Sequence, residues 1–171
     1  MKIKKIIIFF IISIILIVIF AISRSKELPY EYLIKNMEKS DENIVSEVLD
    51  QVEVDKNEYL VFYLNENSNI CCATIKKEFW KYKILTISGE VILVNDSKDY
   101  DYIYSSYDNG SNREWIEWGI LHSKEIKTVL IANKEANIID LEKYNLRLYY
   151  LMGKNTNENV EPEHSIIYRT K

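Results

Sequence analysis

Residues 58–65 read EYLVFYLN. Leu60, Phe62 and Leu64 alternate with Tyr59, Val61 and Tyr63, so both faces of the segment are apolar. β-Branched and aromatic residues at a period of two favour a strand. A strand with water on one side alternates apolar with polar residues, and this one does not. The segment therefore predicts a sheet covered on both faces.

Working outward, turn chemistry flanks this strand: Asp55-Lys56-Asn57 before it and Asn65 to Asn69 after it. Further strands are predicted over 44–54, 69–75, 80–87, 90–94, 114–122, 125–132, 137–141, 144–152 and 165–170. The first half of 44–54 is equally open to extending the preceding helix. Breaks fall at Asp108-Asn109-Gly110 and from Gly153 to Asn159. Many short strands without β-helix-β alternation predict a mainly antiparallel sheet. On the N-terminal side, Pro29 suits a first helical turn, where its missing N–H has no helical partner. Tyr30, Leu33, Ile34 and Met37 follow at helical spacing. A short amphipathic helix is predicted over 29–39, its apolar stripe packed on the sheet.

The N-terminus is of another kind. From Ile6 to Ile22 every residue but Ser13 is apolar. Seventeen helical residues rise roughly 25 Å, near what a bilayer requires. Lys2, Lys4 and Lys5 precede the run, and basic residues stay on the cytoplasmic side. The expected class is thus α+β: an N-terminal transmembrane helix, then a short amphipathic helix on a mainly antiparallel β-sheet domain. The expected divisions are a cytoplasmic basic stub at 1–5, an anchor at 6–22, a connector at 23–28 and an extracytoplasmic β-rich domain at 29–171. The rival is a signal sequence cleaved after Ser23, since Ala21 and Ser23 form a small-x-small pair. Both place the domain outside the cell.

The 171 residues suit one domain, and 47% hydrophobic content with 4 Gly and 2 Pro excludes a disordered chain. Two cysteines exclude a disulfide scaffold. The formal charge of −4 hides an asymmetry. Residues 1–23 carry +3, leaving 19 basic and 26 acidic residues, a charge of −7, in 24–171. That balance excludes nucleic acid as a general partner, because polyanion binding needs a cationic footprint.

No motif announces catalysis. Cys71 and Cys72 are adjacent on a predicted strand, so their side chains point to opposite faces and do not converge on a metal. They read as buried small hydrophobes; a vicinal disulfide would need non-strand geometry. His122 and His164 form no zinc pattern with them, and nothing local supports a Cys–His nucleophile pair. There is no G-x-S-x-G elbow, no S-x-x-K and no glycine-rich phosphate loop. Asp96, Asp99, Asp101 and Asp108 miss the EF-hand spacing. No metal, cofactor or catalytic residue is expected.

Two surface features remain. In NDSKDYDYIYSSYDNGSNREWIE, residues 95–117, an extended chain places Tyr100, Tyr102 and Tyr104 on one face. Tyr is a favoured, low-entropy recognition residue. With Trp115 and Trp118 nearby, this row is a candidate surface for a sugar ring or peptide; the alternative is a solvated loop or edge hairpin turning at Asp108-Asn109-Gly110. Lys76, Lys77, Lys81 and Lys83 form a positive stripe suited to phospholipid headgroups or an anionic wall polymer. A lysine-protected edge strand explains the stripe as simply.

The stretches Trp80–Lys83, Ser88–Gly89, Trp118-Gly119-Ile120, Ile126–Val129, Ala136–Ile139 and Arg147–Tyr150 follow one another in an order that resembles small, mostly uncharacterised membrane-anchored or secreted proteins of low-GC Gram-positive bacteria. The resemblance implies location and architecture and carries no activity. The expected function is a membrane-tethered extracytoplasmic domain that binds or modulates a membrane or cell-wall partner without catalysis. The alternative is an exported, wall hydrolase-like enzyme using Asp/Glu acid–base chemistry.

Overall fold

The computed structural model describes residues 2–25, 27–40, 44–92, 100–110, 112–155 and 165–170. Two helices open the chain: α1, Lys2–Ser25, and α2, Pro29–Ser40. A first antiparallel sheet follows in simple meander order: β1 (Val45–Asp55), β2 (Glu58–Asn65), β3 (Asn69–Glu78) and β4 (Lys81–Ile92). The second sheet contains β5 (Tyr100–Asn109), β6 (Asn112–Leu121), β9 (Asn137–Leu141) and β10 (Leu146–Asn155), in the order β5-β6-β10-β9. A small third sheet joins β7 (Thr128–Ile131) to β8 (Lys134–Glu135) and β11 (Ile166–Arg169).

The turns follow local chemistry. Asn57, Asn133 and Gly110 take the left-handed conformation at the β1–β2, β7–β8 and β5–β6 turns, where Asn and Gly are least strained. In the β2–β3 turn, Asn65 Oδ1 accepts the N–H groups of Asn67 and Asn69, both at 3.0 Å.

The two apolar faces of 58–65 are each used. Leu60, Phe62 and Leu64 face the second sheet and pack with Ile116, Trp118, Ile120, Leu148 and Tyr150. Val61 and Tyr63 face the other way, against Leu33 and Met37 of α2. The second sheet repeats the pattern: Trp115, Leu121 and Tyr149 on its outer face meet Val129 and Ile131 of the third sheet. The order of layers is α2, first sheet, second sheet, third sheet. Period-two alternation places successive residues of one strand into different cores.

Two expectations are corrected. The fold is mainly β, not α+β, because α2 is one short covering helix on a stack of three sheets. Next, the transmembrane helix expected over 6–22 gives way to a smaller statement: among the described residues, no helix is long and apolar enough to cross a membrane. Residues 100–109, by contrast, take the edge-hairpin alternative: β5 is an edge strand paired with β6 along its whole length, turning at Asn109-Gly110. The segments predicted over 80–87 and 90–94 are one strand as far as Ile92, and β10 continues through Gly153 to Asn155. Asp96, Asp99 and His164 lie outside the described residues.

Candidate functional site

The aromatic candidates do not share one surface. Tyr102 and Tyr104 pair across β6 with Gly119 and Glu117, on the outer face of the second sheet. Trp115 lies on the same face, with its ring 6.4 Å from that of Tyr104, and is buried under the third sheet. Its ring covers Gly153, where any Cβ would collide with it. Trp118 points the opposite way, into the sandwich, edge-on to Phe62 at 5.7 Å. Tyr100 belongs to β5 by its backbone, opposite Leu121. Tyr102 stays 58% exposed. The ligand platform expected from these residues is divided by the sheet: Tyr102, Tyr104 and Trp115 lie on one side, and Trp118 lies on the other.

The lysine candidates gather on one hairpin, with Lys76, Lys81 and Lys83 on one face by register and Lys77 on the other. The β3–β4 hairpin pairs Lys76 with Lys83, Lys77 with Tyr82, and Glu78 with Lys81. Its turn is Phe79-Trp80, with Phe79 93% and Trp80 53% exposed and the rings 6.0 Å apart. Lys77 Nζ lies 5.3 Å from the centre of the Tyr82 ring, a cation–π contact. Lys76 Nζ donates to Asn109 Oδ1 at 2.8 Å, reaching the second sheet. The signal was present in the sequence as Phe79-Trp80 between two lysine pairs. Only the turn shows that the aromatics are at its tip.

A buried acid cluster closes the same end of the sandwich. Glu58 begins β2, and Glu114 lies near the start of β6; both side chains are buried. Tyr107 on β5 donates its hydroxyl hydrogen to Glu58 Oε1 at 2.9 Å. Asn109 Nδ2 donates to Glu114 Oε2 at 3.0 Å, and Lys154 Nζ lies 3.4 Å from Glu114 Oε1 and from Asp55 Oδ2. Burial raises the Glu58 carboxyl above its ordinary range; the Tyr107 hydrogen bond opposes this and the charge of Glu114 adds to it. Burial, then the charge of Glu58, pushes the Tyr107 hydroxyl up as well. A cavity of about 170 Å³ opens here, lined by Val54, Asp55, Glu58, Glu114, Met152 and Lys154 among others. Small-molecule sites usually enclose roughly 300–1,000 Å³, so this one suits water or a single functional group. The pair escaped sequence reading because its members come from different sheets.

The remaining chemistry is dispersed. Cys71 packs in the α2 layer and Cys72 in the sandwich core, and both are free thiols. His122 Nε2 lies 3.8 Å from Asp101 Oδ2. Among the described residues no group of three or more His, Cys, Asp or Glu could hold a metal. A wider surface groove of about 530 Å³ carries Lys124, Lys127 and Arg147 beside Asp140 and Glu142. Arg147 is committed to the Ser123 carbonyl at 2.6 Å. Comparison with family models, with curated proteins and with solved structures finds no match to this chain.

Proposed function

We propose that the chain is a membrane-tethered extracytoplasmic domain that binds or modulates a membrane or cell-wall partner and catalyses no reaction. The observation that carries the reading is α1. From Phe9 to Phe20 its large apolar side chains are 48–73% exposed, while the β domain fills its own cores with other residues. A helix apolar all round needs an apolar surrounding, and a lipid surface provides one, so the tether is proposed on this exposure and not on a membrane crossing. The lysines before it and the acidic balance of residues 24–171 support an extracytoplasmic domain and weigh against nucleic acid as a partner. The alternative of cleavage after Ser23 keeps the location and removes the tether.

Three experiments test it. A reporter enzyme fused after Lys171 is active outside the cytoplasm; activity inside overturns the location. Cross-linking in native membranes recovers one specific membrane or wall protein, and recovery of none sinks the binding role. Intact-mass measurement of the purified chain separates tether from cleaved leader.

The second reading, an acid–base enzyme, draws on the buried Glu58 and Glu114. A carboxyl with a raised pKa beside a second carboxyl is the pattern of acid–base sites. The size of the cavity argues against it. Turnover of a wall polymer that disappears in both Glu58→Gln and Glu114→Gln would favour the enzyme.

A further inference from the structure

We propose that the Phe79-Trp80 hairpin tip, with Lys76, Lys77, Lys81 and Lys83 behind it, docks into the interface of an anionic lipid bilayer beside the point where α1 joins the domain. This rests on the membrane-tethered reading and adds a second membrane contact to it.

Four observations converge. The two aromatics are the outermost residues of the hairpin, and Phe79 is the most exposed large apolar residue of the β domain. An exposed Phe-Trp pair costs solubility unless something apolar receives it, and Trp favours the membrane–water boundary. The turn itself is unusual. Phe79 has φ 55°, a conformation that bulky residues avoid. Of the six other left-handed positions among the described residues, four are Asn or Gly (Asn57, Asn133, Asn145 and Gly110) and two are the small residues Ser68 and Ala132. At the β3–β4 turn, Phe stands where the backbone alone would favour Asn or Gly.

Charge is the third observation. Residues 76–83 hold four lysines and one acid, Glu78, a net charge of +3 inside a domain of −7. Basic residues next to inserted aromatics are attracted to anionic headgroups. Acids lie at this end as well: Glu27, Glu31 and Glu53 around Tyr82, and Asp55, Glu58 and Glu114 on the side of Lys76 and Lys154; Glu27 is paired with Lys35 at 2.5 Å, Asp55 and Glu114 with Lys154 at 3.4 Å, and Glu58 with the Tyr107 hydroxyl at 2.9 Å.

Geometry is the fourth. The chain leaves α1 at Ser25 and enters α2 at Pro29. Tyr32, in the first turn of α2, has its ring 5.7 Å from that of Tyr82, two residues beyond Trp80. The connector and the aromatic tip therefore lie at one end of the first sheet. A tether entering at α2 and a tip at the same end of the sheet give the domain two membrane contacts.

The test uses the full chain with vesicles of phosphatidylcholine, with or without about 30% phosphatidylglycerol. Co-sedimentation reads the tether. The fluorescence difference between the wild type and Trp80→Phe reads the tip, since Trp115 and Trp118 are buried. With phosphatidylglycerol present, quenching of Trp80 by acrylamide is expected to fall roughly threefold and lipid-borne bromine to quench it. Replacing Lys76, Lys77, Lys81 and Lys83 by Gln returns both signals toward those of neutral vesicles while co-sedimentation persists. A chain that sediments with Trp80 still fully open to acrylamide overturns the tip contact and leaves the tether standing. A chain that sediments with neither vesicle overturns both. Protection of Trp80 by isolated wall polymer but not by vesicles also overturns the lipid assignment.

Discussion

Trp118 Nε1 donates a hydrogen bond to Ser88 Oγ at 2.7 Å, joining the second sheet to the first through their shared core. Ser88 Oγ in turn donates to the Cys72 carbonyl at 3.2 Å. Both side chains are buried, so neither has water to replace a lost partner. With the Tyr107–Glu58 bond at the end of the sandwich, it is one of two buried side-chain hydrogen bonds described between these sheets. It fixes how the sheets register, because the indole N–H finds its acceptor at one position.

Ser88→Ala removes the acceptor and leaves the Trp118 N–H buried and unsatisfied. The expected loss is about 1–3 kcal/mol. Urea unfolding followed by Trp fluorescence should show a lower midpoint with an unchanged slope. An unchanged midpoint would mean that the bond contributes nothing to stability.

Gly119 should tolerate no side chain. A Cβ there would collide with the Asp101 carbonyl and the Tyr149 hydroxyl, the first of which is backbone. Gly119→Ala is expected to cost about 3 kcal/mol, at the upper end of overpacking. Gly110, at φ 70° with open space around it, is a contrast: Gly110→Ala should cost only about 1 kcal/mol. Thermal unfolding of the two variants tests the order, and equal losses would count against it.

Glu58 makes stability fall as pH rises. Its folded pKa lies above the ordinary 4.5 because of burial and the nearby Glu114 charge. A raised pKa means that its contribution is complete below the unfolded value and is lost as pH rises through the folded value. Glu58→Gln should therefore match the wild type below pH 4.5 and exceed it at pH 7. Urea midpoints across that range decide the matter; a variant weaker at neutral pH would reverse the sign.

The two thiols should be inert in the folded protein. Burial pushes the Cys71 thiol up to about 11, with the Glu90 charge adding to it and a Tyr63 hydrogen bond opposing it; burial raises Cys72 further. At pH 8 a thiol of that pKa is about 0.1% thiolate. A disulfide reagent should react slowly with the native chain and rapidly with both cysteines after denaturation. Fast native reaction at Cys71 would place it at the surface, outside the α2 layer.

Much of the fold was legible locally. The helix over 29–39 is observed as Pro29–Ser40, and the strand over 58–65 has the same limits in the structure. Leu33 and Met37 are buried in the layer that their spacing suggested. Residues 100–109 were harder. Their Asp and Tyr alternation looks like a wet surface. It becomes a strand only because β6 supplies its hydrogen bonds along the whole length. The candidate surface was legible in composition and not in position. Tyr104 and Trp115 are covered by the third sheet, whose β11 lies far along the chain from them.

By itself, then, the sequence determined periodicity, turn positions, the apolar N-terminal run and the lysine-rich hairpin, because each depends on neighbours within a few residues. Tertiary structure alone decided which face meets which layer. It opposed Glu58 to Glu114, turned Trp118 inward and Tyr102 outward, and brought the Phe79-Trp80 tip to the end where the connector enters. Those relationships are set by contacts between strands distant in the chain, and a period of two says only that two faces exist, not what will cover them.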